Sequence, residues 1–107
     1  MSLGFGLTPY SKVREIIENW KPKTFDKEEQ YEESLERELK KNLKDQEIDR
    51  QYTFDEQRAD IVVHGEVPIE LKRDIRTDQD VSDTIDQLDG YLKKWDRVFL
   101  VICGDIS

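Results

Sequence analysis

A chain of 107 residues provides one domain and excludes a multidomain enzyme. Charged side chains make up 39% of it against 36% hydrophobic, so the core must be small, and no apolar run approaches the length that spans a bilayer. Acidic residues outnumber basic ones 25 to 17, for a net charge of −8, which argues against the broad basic surface of a typical nucleic-acid binder. Two circumstances soften that exclusion: carboxylates gathered to bind a metal are acidic until it arrives, and basic residues can come from a second subunit. Residues 1–7 read as a flexible lead-in without the basic-then-apolar plan of a signal peptide, and 8–107 as the domain. The lone Cys103 lies in an apolar run and forms no internal disulfide. A buried thiol and a reducing, cytoplasmic setting are expected.

In chain order, Thr8-Pro9 predicts a helix start, a Thr cap followed by proline, and Val13, Ile16, Ile17 and Trp20 give that helix one apolar face. Lys21-Pro22-Lys23-Thr24 breaks it. Asp26 with Glu29 reads as a capping box for a second helix carrying Tyr31, Leu35, Leu39 and Leu43. Three strands follow as a meander: Ile48–Phe54 with Ile48, Tyr52 and Phe54 on one face, Ala59–His64, a turn at Gly65-Glu66, then Val67–Lys72. A third helix is predicted over Asp78–Trp95 with Val81, Ile85, Leu88, Leu92 and Trp95 as its buried stripe. The almost wholly apolar Val98–Cys103 reads as a strand covered on both faces. The order is α-α-β-β-β-α-β, an α/β (α+β) domain with a mixed sheet flanked by helices.

The third strand carries the chemistry. Val67, Ile69 and Leu71 point one way, Glu70 and Lys72 the other. A carboxylate and an ammonium on one face of an apolar strand are costly unless paired or at work. Taken alone, Glu-x-Lys is common by chance and reads as a surface ion pair. Asp60 changes the odds, because an antiparallel turn at Gly65 brings it near the level of Glu70. Two oxygen ligands beside an ammonium suit a Mg²⁺ hydrolytic site.

Arg58-Ala59-Asp60-Ile61-Val62-Val63, a turn, then Ile69-Glu70-Leu71-Lys72 resembles the signature of the PD-(D/E)xK nuclease superfamily, which includes restriction endonucleases, archaeal Holliday-junction resolvases and RecB-type exonucleases. Ala59 stands where the family's name has proline. The resemblance covers Glu28 to about Asp105 and implies a restriction-endonuclease-like α-β-β-β-α-β core. It also implies Asp60 and Glu70 as metal ligands, Lys72 as the catalytic lysine, and Mg²⁺ or Mn²⁺ as the ion. Leu35-Glu36-Arg37-Glu38-Leu39 is similar to the resolvase helix that supplies a further glutamate, implying Glu36 as a third ligand, with Glu32 one turn earlier as its substitute. Gln87-Leu88-Asp89-Gly90-Tyr91 resembles the Gln-x-x-x-Tyr motif of RecB-type nucleases, implying that Gln87 assists catalysis and that Tyr91 meets a metal-bound water or phosphate.

Arg73 and Arg76, just beyond the lysine, are positioned to meet phosphates, although a solvated loop explains them equally well. His64 is expected at a turn or rim, sharing strand parity with Asp60. Asp78, Asp80, Asp83 and Asp86 complement a helix dipole and lack calcium-loop spacing. The expectation is therefore a metal-dependent nuclease acting on nucleic acid, DNA first. The rival is a catalytically inactive nuclease-fold domain serving as a binding or assembly module, as a homodimer or within a larger complex. The chain stops just after its last core strand, where family members often continue with a helix and another strand, which is compatible with a C-terminal truncation.

Overall fold

The Thr8 side chain accepts a hydrogen bond from the Ser11 backbone N–H at 3.1 Å and Pro9 follows, so α1 (Pro9–Asn19) starts at the Thr-Pro pair. The computed structural model describes residues 8–106, and the lead-in assigned to 1–7 lies outside them. The second helix, α2 (Glu28–Asn42), is capped one residue later than Asp26-Glu29 predicts. The Gln30 side chain accepts from the Lys27 backbone N–H at 3.0 Å. Then come β1 (Ile48–Phe54), β2 (Gln57–Val63), β3 (Val67–Ile75), α3 (Asp78–Tyr91) and β4 (Phe99–Ile106). The chain is α+β, with three helices and one four-stranded mixed sheet among the described residues.

The sheet runs β1-β2-β3-β4, the first three antiparallel and β4 parallel to β3. Both hairpin turns carry two consecutive residues at positive φ: Asp55 and Glu56 in the first, His64 and Gly65 in the second. That is the twist a tight hairpin demands. The turn therefore centres on His64-Gly65, one residue before the predicted Gly65-Glu66, and His64 is exposed.

Two cores flank the sheet. On one face, α1 and α2 bury Val13, Leu35 and Leu39 against Ile61, Ile69 and Leu71, all fully inaccessible. On the other, Tyr91 and Trp95 pack against Phe54 and Val62, with the Phe54 and Trp95 rings 4.8 Å apart and edge-on. β1 divides itself between the faces. Gln51 stands at positive φ, so Ile48 packs with the first core while Tyr52 and Phe54 join the second, against the single face that strict alternation predicts.

The predicted stripe of α3 is mostly not buried. Val81 is 46% exposed and Ile85 52%, Leu92 is exposed too, and Trp95 alone of the five is buried. The helix instead presents Thr84, Gly90 and Tyr91 inward, because the Tyr91 phenol finds polar partners inside and Gly90 lets the Gln57 side chain approach. β4 is likewise an edge strand rather than a covered one. Leu100 and Ile102, each 37% exposed, sit opposite Glu70 and Lys72 on that same face. No helix among the described residues is long and apolar enough to cross a membrane.

Candidate metal and catalytic centre

The β2–β3 ladder pairs Val63 with Val67, Val62 with Pro68 and Ile61 with Ile69, and there it ends. One step further the register sets Asp60 opposite Glu70. Here the Asp60 side chain replaces a backbone carbonyl, its Oδ2 accepting the Leu71 N–H at 2.8 Å. Splaying of the strands thus turns two facing carboxyls toward each other, within hydrogen-bonding reach.

Glu70 is 3% exposed, an expensive position for an anion without partners. It has three. Lys72 Nζ lies 3.1 Å from Oε2, the Tyr91 hydroxyl donates to Oε1, and Asp60 is adjacent. Tyr91 is also 3.0 Å from the Arg58 carbonyl, which ties α3 to β2 just before Asp60. Burial first, and then the Glu70 hydrogen bond and charge, raise the phenol, so Tyr91 remains a donor. Burial and the neighbouring Glu70 push the Asp60 carboxyl up to about 8, against the lowering effect of the Leu71 N–H. Asp60 therefore holds its proton to higher pH than a free carboxyl does.

Helix α2 approaches from the opposite face. Glu32 is buried, and Arg50 Nε donates to it at 3.0 Å while the Gln51 amide donates to the same oxygen. The positive φ of Gln51 is what lets consecutive side chains of β1 reach one carboxylate. Glu36 is not drawn to Asp60. Its carboxylate lies 3.2 Å from Lys40 and 3.6 Å from Arg50, and the helix carboxylate that acts on Asp60 is Glu32.

Glu28, in the first turn of α2, was missed by motif reasoning. Its Oε1 accepts the Arg73 backbone N–H at 3.0 Å. Burial raises its carboxyl, partly offset by the Lys72 charge, which places it on the lysine's side of the site. The only sequence hint was an acidic first turn, which helix dipoles explain without any site.

Gln87 and Tyr91, at i,i+4 spacing, both line one surface pocket but differ in exposure. Tyr91 is 1% exposed and belongs to the core, with its hydroxyl on Glu70. Gln87 is exposed, and the pocket of about 300 Å³ that it shares with Tyr91 is completed by Gln57, Arg58 and Asp86. β3 continues past Lys72 to Ile75, so Arg73 lies on the strand and Arg76 directly after it. Both are exposed and bridged by Asp74. Cys103 is buried, its thiol pushed up to about 11 by burial and by Glu28.

Among the described residues no three histidine, cysteine or carboxylate side chains converge as a ready-made metal cage. This chain would offer a divalent cation Asp60 and Glu70, with the remaining positions left to water and substrate oxygens. Mg²⁺, which keeps several waters, tolerates such a set. Two carboxyl groups facing each other at the splayed end of β2 and β3 fit that ion. The chain matches no protein-family model, and no curated protein and no solved structure matches it significantly.

Proposed function

We propose that this chain is a divalent-metal-dependent nuclease of the PD-(D/E)xK kind, hydrolysing phosphodiester bonds in nucleic acid, DNA first, in a cytoplasmic setting. The observation that carries the reading is the Asp60–Glu70 pair with Lys72 Nζ 3.1 Å from Glu70 at the splayed end of β2 and β3. A bound Mg²⁺ or Mn²⁺ would polarise the scissile phosphate and acidify a water. This chain's residues supply the rest. Asp60 and Glu70 bind through oxygens, with the Leu71 N–H and the Tyr91 hydroxyl fixing their orientation. Lys72 holds positive charge beside Glu70, where it can orient a nucleophilic water or offset charge building on the phosphate. Glu28 fixes the strand one residue beyond Lys72.

The test is a Mg²⁺ and Mn²⁺ titration with labelled single- and double-stranded DNA and RNA, comparing wild type with Lys72→Ala and Asp60→Ala. Metal-dependent cleavage lost in both variants supports the reading. Absence of cleavage on every substrate, together with no metal bound in calorimetry, removes it.

One observation favours the second reading, an inactive nuclease-fold domain that assembles with a second copy or a larger complex. Val81, Ile85 and Leu92 leave an apolar stripe of α3 open, and Leu100 and Ile102 do the same on the edge strand β4. Concentration-dependent sedimentation that Ile85→Lys abolishes would support it. A strictly monomeric wild type would remove it.

A further inference from the structure

One residue beyond Lys72 the chain does something that a plain strand has no need of. The β3–β4 ladder shifts register between Arg73 and Ile75, and Asp74 stands at φ +57°, a left-handed conformation unfavourable for a residue with a Cβ. Gly104 on β4, at φ +79°, leaves the room: a Cβ there would overlap Asp74 Oδ1. The bulge sends the Asp74 carboxylate between two guanidiniums, 3.0 Å from Arg73 and 3.6 Å from Arg76. Local strain of this kind concentrates where side chains are being aimed.

They are aimed at a groove of about 670 Å³, within the range of ligand-binding clefts. Arg73, Asp74 and Arg76 form one wall, and Trp20, Lys23 and Phe25 from the α1–α2 connection form the other. The aromatic wall is held in place. The Trp20 indole N–H donates to Ser34 Oγ at 3.1 Å, and the Phe25 ring stands edge-on to Tyr31 at 5.1 Å. Its backbone N–H donates to the Tyr31 hydroxyl at 3.0 Å. Arg73 Nε reaches across to the Phe25 carbonyl at 3.3 Å and joins the walls. In a chain of net charge −8, Lys23, Arg73 and Arg76 bring three exposed cations to the edge of half-buried aromatic rings.

We infer that this groove holds a single-stranded nucleic-acid segment, a base stacked against Trp20 and Phe25 and its phosphates on Lys23, Arg73 and Arg76. A guanidinium has five N–H donors, so each arginine can serve Asp74 and a phosphate oxygen together. Stacking on a side chain requires an unpaired base, which selects single strands over duplex. The inference deepens the nuclease reading and rests on it for its function: Arg73, on the groove wall, directly follows Lys72 on β3.

The test uses the whole chain in EDTA, so that no cleavage intervenes, and follows tryptophan emission as a short oligothymidylate is added at several salt concentrations. Expected is a saturable quench, absent in Trp20→Phe because Trp95 sits in the other core. Affinity should fall with salt, and Arg76→Ala and Lys23→Ala should each reduce the slope of log affinity against log salt by about 0.7, the single-strand value per phosphate contact. A blunt duplex should bind at least about tenfold more weakly, unpaired bases being required for the stacking. Equal affinity for duplex, no binding at all, or unchanged slopes in both charge variants with wild-type circular dichroism would each overturn the assignment. The two readings fail separately. Metal-dependent cleavage that needs Lys72 but ignores Arg76 and Lys23 sinks the groove alone. Groove binding in EDTA without cleavage of any substrate sinks the nuclease reading.

Discussion

The Tyr91 hydroxyl donates to Glu70 from the far side of the helix–sheet interface, joining the last residue of α3 to the middle of β3. Both side chains are nearly inaccessible, Tyr91 at 1% and Glu70 at 3%. The same phenol lies 3.0 Å from the Arg58 carbonyl, so one side chain sets both strands that carry the carboxyl pair.

Tyr91→Phe keeps the ring packed on Phe54 and Trp95 and removes only the donor. A buried carboxylate losing one partner should cost about 1–3 kcal/mol, read from urea unfolding midpoints. If the midpoint does not move, the phenol is not what holds Glu70.

Stability without metal should fall as pH rises from about 4 to 8. Asp60 keeps its proton up to about 8 in the folded chain, whereas in the unfolded chain it ionises near the ordinary aspartate value of 3.8. Through this window the native state binds more protons, so the slope of unfolding free energy with pH is negative. Asp60→Asn should remove this contribution, melting above wild type at pH 8 and converging with it near pH 4. Each kcal/mol recovered corresponds to about 4–8 °C in a domain of this size. Thermal scans across that range check it, and parallel curves for the two proteins would refute the raised Asp60 carboxyl.

Under the proposed function, cation binding should expel that proton. Calorimetric titration of Mg²⁺ or Mn²⁺ at pH 7, in buffers of different ionisation enthalpy, should show release of about one proton per ion, with release vanishing above pH 9. Asp60→Asn should abolish the release. Binding with no dependence on buffer enthalpy at pH 7 would place the ion elsewhere.

Ile85→Lys should change stability by no more than about 0.5 kcal/mol, because the side chain is 52% exposed. Leu39→Ala, at full burial, should cost about 2–5 kcal/mol. Denaturant unfolding of the two variants checks the orientation of α3 directly. A large loss from Ile85→Lys would mean that the stripe predicted by periodicity is covered after all.

The kind and order of the elements are legible in the sequence, because they follow from short-range rules. Thr8-Pro9 starts a helix, alternation around Asp60 and Glu70 makes strands, and Gly65 marks the hairpin between them, within one residue of where the turn centres. The sequence also dictates that Glu70 and Lys72 share a face, since strand parity is local. Which face of α3 is buried was decided only by the tertiary structure. An apolar arc fits several rotations, and the chosen one answers to Tyr91 reaching Glu70 and to Gly90 admitting Gln57. The same holds for α2, where six glutamates look alike along the helix and only packing assigns Glu32 to Arg50, Glu28 to the Arg73 N–H and Glu36 to Lys40. The bulge at Asp74 was equally hidden, because a left-handed residue that is not glycine leaves no mark in composition. It becomes visible once Gly104, thirty residues away, is folded against it.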